Sequence, residues 1–174
     1  EALMTVLQFR SKKTNTDSDI NELLTIATDM RKYSSNKDGF TSNFTTLISA
    51  KIMDTLIDNK MIEKESLLCG IYISGLLGTL FKTQPKHWIV VDYIIEGSKN
   101  NNPLTIQQGA NVCFLICSIF QEKRGRCMNV KDYESLGSGL YMQYYHQTDK
   151  EIGYYMAKKF SEMTMVTKEC IDTI

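Results

Sequence analysis

Proline is nearly missing from this 174-residue chain, which holds only Pro85 and Pro103. Proline breaks helix interiors and punctuates turn-rich β folds, so its scarcity favours long helices. Net charge is missing too. Twenty basic and twenty acidic residues cancel, leaving no global field to draw the chain to DNA, RNA or an anionic membrane. Any such contact has to come from a local patch. No close CxxC pair occurs among the five cysteines, Cys69, Cys113, Cys117, Cys127 and Cys170. An odd count, with four of the five in or beside apolar helical segments, suits reduced core thiols and a cytoplasmic location better than a disulfide frame.

Other absences narrow the chemistry. The uncharged run from Ser66 to Phe81 has sixteen residues, short of the roughly 20 needed to span a bilayer, so no membrane partner is expected. The amino terminus lacks a long apolar stretch, and no signal peptide is expected. Met4 reads as the natural start, with Glu1, Ala2 and Leu3 extraneous. There is no glycine-rich phosphate cradle: "GLLG" and "GSGL" lack the Walker spacing and a preceding strand. No GxSxG surrounds a serine. Ser66 and Ser135 stand out only because they repeat, and each reads as a small polar residue in the first turn of a helix.

What is present is an ordinary globular composition, 43% apolar and 23% charged, which excludes bulk disorder. Residues 1–16 read as an N-terminal arm carrying Arg10, Lys12 and Lys13. Residues 17–174 read as a single helical domain. The fold class expected is all-α, a compact bundle of six or seven helices.

Helical periodicity places these helices at about 19–34, 42–58, 63–82, 86–97, 105–123, 129–147 and 149–171. Asp19/Glu22, Thr105/Gln108 and Thr148/Glu151 have capping-box spacing. The third and fifth helices are apolar almost all round and are expected to be central. In the third, Gly70, Ser74 and Gly78 recur every fourth residue, a smooth ridge for close helix packing. In the fourth, Trp88, Val91 and Ile95 form the expected apolar stripe, although the β-branched content leaves a strand open.

Glu-Ser-Leu occurs at Glu65 and again at Glu134, an offset of 69. That offset maps the first three helices onto the next three, with a slip in the second. It suggests a duplicated three-helix unit with a C-terminal capping helix. A tripeptide match does not establish duplication, and two units are too few for a solenoid.

Catalytic and metal chemistry find little support. Cys113 and Cys117 share a helix face, but the other soft ligands, His87, His146, Cys127 and Cys170, fall in no paired motif. Two small core residues explain the pair better. A Cys127–His146 nucleophile pair needs geometry that sequence does not supply. Asp92, set between "WIVV" and "YII", is either a buried functional acid or the wet face of its helix. No cofactor and no metal are expected.

Two surfaces remain. Six of the nine tyrosines fall between Tyr133 and Tyr155. Tyrosine combines large contact area with a polar tip, which suits interfaces. Tyr141, Tyr144, Tyr145, Tyr155, Met156 and Lys159 are therefore the expected protein-binding residues, with a core stripe as the competing explanation. The second surface is basic. Lys123, Arg124, Arg126 and Lys131 are candidate phosphate contacts, diluted by Glu122 and Asp132. The leading expectation is a non-enzymatic protein–protein interaction module, an adaptor, chaperone-like partner or regulatory subunit that forms a homo-oligomer. The alternative is a small nucleic-acid-associated subunit using the basic loop and the arm.

Overall fold

The computed structural model describes residues 39–80 and 82–173, with side chains from residue 46 onward. The expected arm and the expected helix at 19–34 lie outside the described residues. Seven α-helices and one 3-10 turn make up the regular structure of the described residues, and no strand occurs among them. The all-α class is therefore observed. Contacts divide the described residues into two units, with the boundary between Thr83 and Gln84.

In the first unit, α1 (Gly39–Asp58) packs on α2 (Lys64–Leu80). Ile48, Ile52, Met53 and Leu56 of α1 and Leu67, Ile73 and Leu77 of α2 are buried. The small-residue ridge is buried as expected: Gly70, Ser74 and Gly78 all lie on the covered side of α2. At Gly70 a Cβ would come within 2.8 Å of the Leu56 side chain and 3.2 Å of Ile52, so glycine is what lets α1 sit this close. Ser74 keeps its hydroxyl satisfied inside this apolar contact by donating to the Gly70 carbonyl at 2.8 Å. Lys60, at a φ of 58°, turns the chain out of α1.

The second unit contains α3 (Val90–Lys99), α4 (Pro103–Ser118), the 3-10 turn Gln121–Lys123, α5 (Val130–Thr148), α6 (Glu151–Lys158) and α7 (Phe160–Asp172). Its centre is α4, where every residue from Val112 to Ser118 is buried, as its uncharged sequence leads one to expect. Against α4 lie α3, α5 and α7. Phe114 meets Phe160 edge-on at 5.5 Å, and Tyr141 lies 6.0 Å from the same ring. Tyr141 is almost fully buried, and its hydroxyl donates to Asn111 Oδ1 at 2.7 Å.

Several boundaries differ from the sequence expectation. Residues 90–99 are helical, but the packed face is Val90, Tyr93 and Gly97 rather than Val91 and Ile95. Tyr93 decides this: its ring stacks on His87 at 4.3 Å and its hydroxyl donates to the His87 carbonyl at 2.9 Å. Asp92 is exposed, a wet-face acid.

The cap of α4 is Asn102, whose side chain accepts from the Leu104 N–H at 3.1 Å, with Pro103 in the first turn. The Thr105/Gln108 pair sits inside the helix, and Thr105 is buried. α4 ends at Ser118, whose hydroxyl turns back to the Phe114 carbonyl at 2.7 Å. At the start of α5, Asn129 and Asp132 form a reciprocal capping box. The Thr148/Glu151 box does not form. Thr148 still belongs to α5 and bonds to the Tyr144 carbonyl, while Glu151 accepts from the Tyr155 hydroxyl.

The expected last helix is two helices broken at Lys159. Neither proline nor glycine marks the break. Ser138 of α5 donates to the Ala157 carbonyl at 2.7 Å, capping an acceptor freed there.

The two Glu-Ser-Leu triplets occupy different environments. Ser66 is fully buried and donates to the Glu63 carboxylate, whereas Ser135 is exposed. Gly70 is packed tightly; its offset equivalent, Gly139, has nothing within 4 Å.

Candidate protein-binding surface

Of the six residues expected to bind protein, three belong to the interior. Tyr141, Tyr144 and Met156 are each 2% exposed or less. A partner could reach them only if the helices parted. The physical reason lies in α6. Its Gly153 rests so close to α5 that a Cβ there would lie 2.9 Å from the Tyr141 carbonyl oxygen and 3.0 Å from the Tyr145 nitrogen. The close approach seals Tyr141 and Tyr144 between the helices.

The same approach brings the remaining aromatic residues together outside. Asp149, with a φ of 56°, closes the short connection between α5 and α6. Tyr145 near the end of α5 then meets Tyr154 of α6 at 5.6 Å between ring centroids. Tyr154 meets Tyr155 at 6.0 Å, and Tyr145 meets His146 at 5.4 Å. The rings are tilted by 48–71°, the inclined geometry that aromatic quadrupoles favour. Lys158 places its ammonium 5.7 Å from the centre of the Tyr154 ring. Tyr154 is exposed, Tyr145 and Tyr155 are half-buried, and His146 and Lys158 are exposed. Lys159, mostly covered, pairs with Glu162 at 3.7 Å.

Four aromatic rings thus form one continuous run at the surface, rigid because it is fixed to two packed helices. Tyr145 and Tyr155 were legible as candidates. Tyr154 was not, because helical spacing alone puts it off the stripe. The signal that could have found it is its i,i+4 relation to Lys158 beside Gly153.

The basic loop is a second, separate surface. Lys123, Arg124, Arg126 and Lys131 are all exposed. Arg124 and Arg126 line an open cavity of about 520 Å³ together with Cys127, Glu122 and Asp132. Lys123 lies 5.8 Å over the Trp88 ring, and Trp88 in turn meets Phe120 at 5.1 Å. Arg124 Nε donates to the Gln121 carbonyl at 3.1 Å. The Gly125 N–H donates to the Tyr133 hydroxyl at 2.8 Å, which pins the loop to α5. Two carboxylates among these cations weaken the local field, as the sequence indicated.

The thiols do not converge on a metal site. No group of three His, Cys, Asp or Glu residues placed to hold a metal exists among the described residues. Cys113 and Cys117 are buried. Burial, and secondly the neighbouring Cys117, push the Cys113 thiol far above its ordinary range. Burial, and secondly the Glu134 carboxylate, push Cys117 up to about 12. Both therefore stay protonated near neutral pH, the state least suited to nucleophilic attack. Cys127 precedes α5 and His146 lies in its last turn. The sixteen residue steps from Val130 to His146 span about 24 Å of helix, which keeps the pair apart.

No helix among the described residues is long and apolar enough to cross a membrane. Compared with protein-family models, with curated proteins and with solved structures, the chain matches none.

Proposed function

We propose that this chain is a non-enzymatic protein–protein interaction module, an adaptor, chaperone-like or regulatory subunit that acts as an oligomer in the cytoplasm. The observation that supports it most is the surface run His146–Tyr145–Tyr154–Tyr155 with Lys158 over Tyr154. Tyrosine is enriched among residues that dominate binding energy, because it covers large area with only two side-chain torsions to immobilise. Here the rings are already held against one another, so little ordering remains for a partner to impose. The cytoplasmic assignment draws on five free thiols, four of them buried.

The test is affinity capture from the native host with wild-type bait and with Tyr154→Ala/Tyr155→Ala bait. A protein recovered stoichiometrically by the wild type should be lost from the variant, since truncating a central tyrosine costs about 2 kcal/mol or more. Equal recovery by both baits would remove the tyrosine surface from consideration.

A second reading, a nucleic-acid-associated subunit, draws on Arg124 and Arg126 lining one cavity and on Lys123 beside Trp88. Its test is polynucleotide binding as a function of salt. On this reading Arg124→Ala/Arg126→Ala lowers the salt slope by about two, one per lost phosphate contact. An unchanged slope, or no binding by the wild type, dismisses it.

A further inference from the structure

The exposed side of α3 is unusual for a surface helix. Val91 and Ile95, one turn apart, are 51% and 59% exposed, and Ile94 beside them is half-buried. Ordinary amphipathicity would turn these residues inward, but Tyr93 and Gly97 hold the opposite face against α4: a Cβ at Gly97 would lie 2.6 Å from Ile106, and Gly109 of α4 admits Tyr93.

The charges around this stripe have a specific order. Asp92 and Lys99 are both exposed and stand seven residues apart. Two helical turns separate them, so they lie on the same flank of the Val91–Ile95 stripe, one toward each end. About 10 Å of helix rise keeps them from pairing with each other. Neither takes part in an ion pair among the described residues.

A helix with an apolar stripe, an acid at one end and a base at the other is complementary to an inverted copy of itself. We propose that α3 is the face of a two-fold homodimer, with the two α3 helices antiparallel and Ile95 beside the axis. In that arrangement Asp92 faces the partner's Lys99, and the symmetry repeats the pair on the other side. Ile94 and Ile95 meet their counterparts between the two ion pairs, and Val91 extends the apolar contact just beyond each pair. Such a contact is isologous, so one surface closes the assembly and leaves no open end. A parallel arrangement would set acid against acid and base against base. The antiparallel one also opposes the helix dipoles favourably. This rests on the oligomeric part of the reading above and uses a surface separate from the tyrosines.

The experiment is sedimentation velocity of the full chain over a concentration series, with circular dichroism confirming that each variant is folded. All the substituted side chains are exposed, so the fold should survive. The wild type is expected to show a concentration-dependent monomer–dimer equilibrium. Asp92→Lys and Lys99→Asp should each move its midpoint to roughly tenfold higher concentration, and Asp92→Lys/Lys99→Asp together should restore it. Ile95→Asp should abolish the dimer, while Tyr154→Ala should leave it unchanged. A wild type that is monomeric throughout, a dimer indifferent to Ile95→Asp, or a double charge reversal that fails to restore association would each overturn the proposal. Because the tyrosine variants are read in a separate assay, loss of the dimer face and loss of the partner surface are distinguishable.

Discussion

Gly137 and Phe160 are in direct contact at the point where α4, α5 and α7 converge. A Cβ on Gly137 would lie 2.6 Å from two atoms of the Phe160 ring and 2.7 Å from the Cβ of Cys113. Two residues further along the same helix, Gly139 has nothing within 4 Å.

Two alanine substitutions, two residues apart, should therefore act in opposite directions. Gly137→Ala forces the Phe160 ring or the α4 backbone to move and should destabilise the fold by about 1–3 kcal/mol, despite the better helix propensity of alanine. Gly139→Ala meets open space and should stabilise by about 0.5–1 kcal/mol. Denaturant titration of the two variants beside the wild type measures both.

Tyr141 donates its hydroxyl to Asn111 Oδ1 at 2.7 Å, from a ring packed on Phe160. Tyr141→Phe keeps the ring and removes the bond, and a loss of about 1 kcal/mol is expected. Tyr141→Ala also empties a large buried volume and should cost about 3–5 kcal/mol. Thermal melts of the two variants separate the hydroxyl from the ring. A phenylalanine variant as unstable as the alanine one would contradict this division.

Asn129 satisfies the Asp132 N–H at the start of α5, and Asp132 returns the bond to Asn129. Asn129→Ala should cost about 1 kcal/mol and loosen the basic loop that leads into the helix. Hydrogen exchange at residues 126–133 should rise in the variant, while exchange in α4 follows only the global loss of stability.

The thiols give a paired prediction about reactivity and pH. Cys127 is exposed and the other four cysteines are buried. One thiol per chain should react promptly with a disulfide reagent in the native state, and all five should react in denaturant. Burial raises Cys117 from its ordinary 9.0 to about 12 and raises Cys113 in the same direction. The folded state therefore holds these protons more tightly than the unfolded chain does. Their contribution to stability is complete below about pH 9 and is lost progressively between pH 9 and 12. The melting temperature should fall over that interval, and it should fall less steeply in Cys113→Ala/Cys117→Ala. An equally steep fall in the double variant would assign the alkaline loss to other groups.

The helical class was legible because it rests on quantities carried along the chain itself. Scarce proline, a 3.6-residue apolar period and short polar breaks specify helices whatever they pack against. The buried α4 and the ridge at Gly70, Ser74 and Gly78 were legible for the same reason. Uncharged runs of that length have nowhere to go but inside.

What tertiary structure alone decided is which side of each helix faces in. Val91 and Ile95 look like core on α3 and lie at the surface, because Tyr93 stacks on His87 and packs into Gly109, and one helix cannot bury both faces against one neighbour. Tyr141, Tyr144 and Met156 look like an interface and lie inside, because Gly153 admits α6 against α5. The break at Lys159 has no local signal at all, since the hydroxyl that compensates it belongs to Ser138, nineteen residues before the Ala157 carbonyl it bonds. Periodicity is a property of neighbours in sequence. The choice of inward face belongs to contacts between residues far apart, and a few glycines with room for no Cβ settled it.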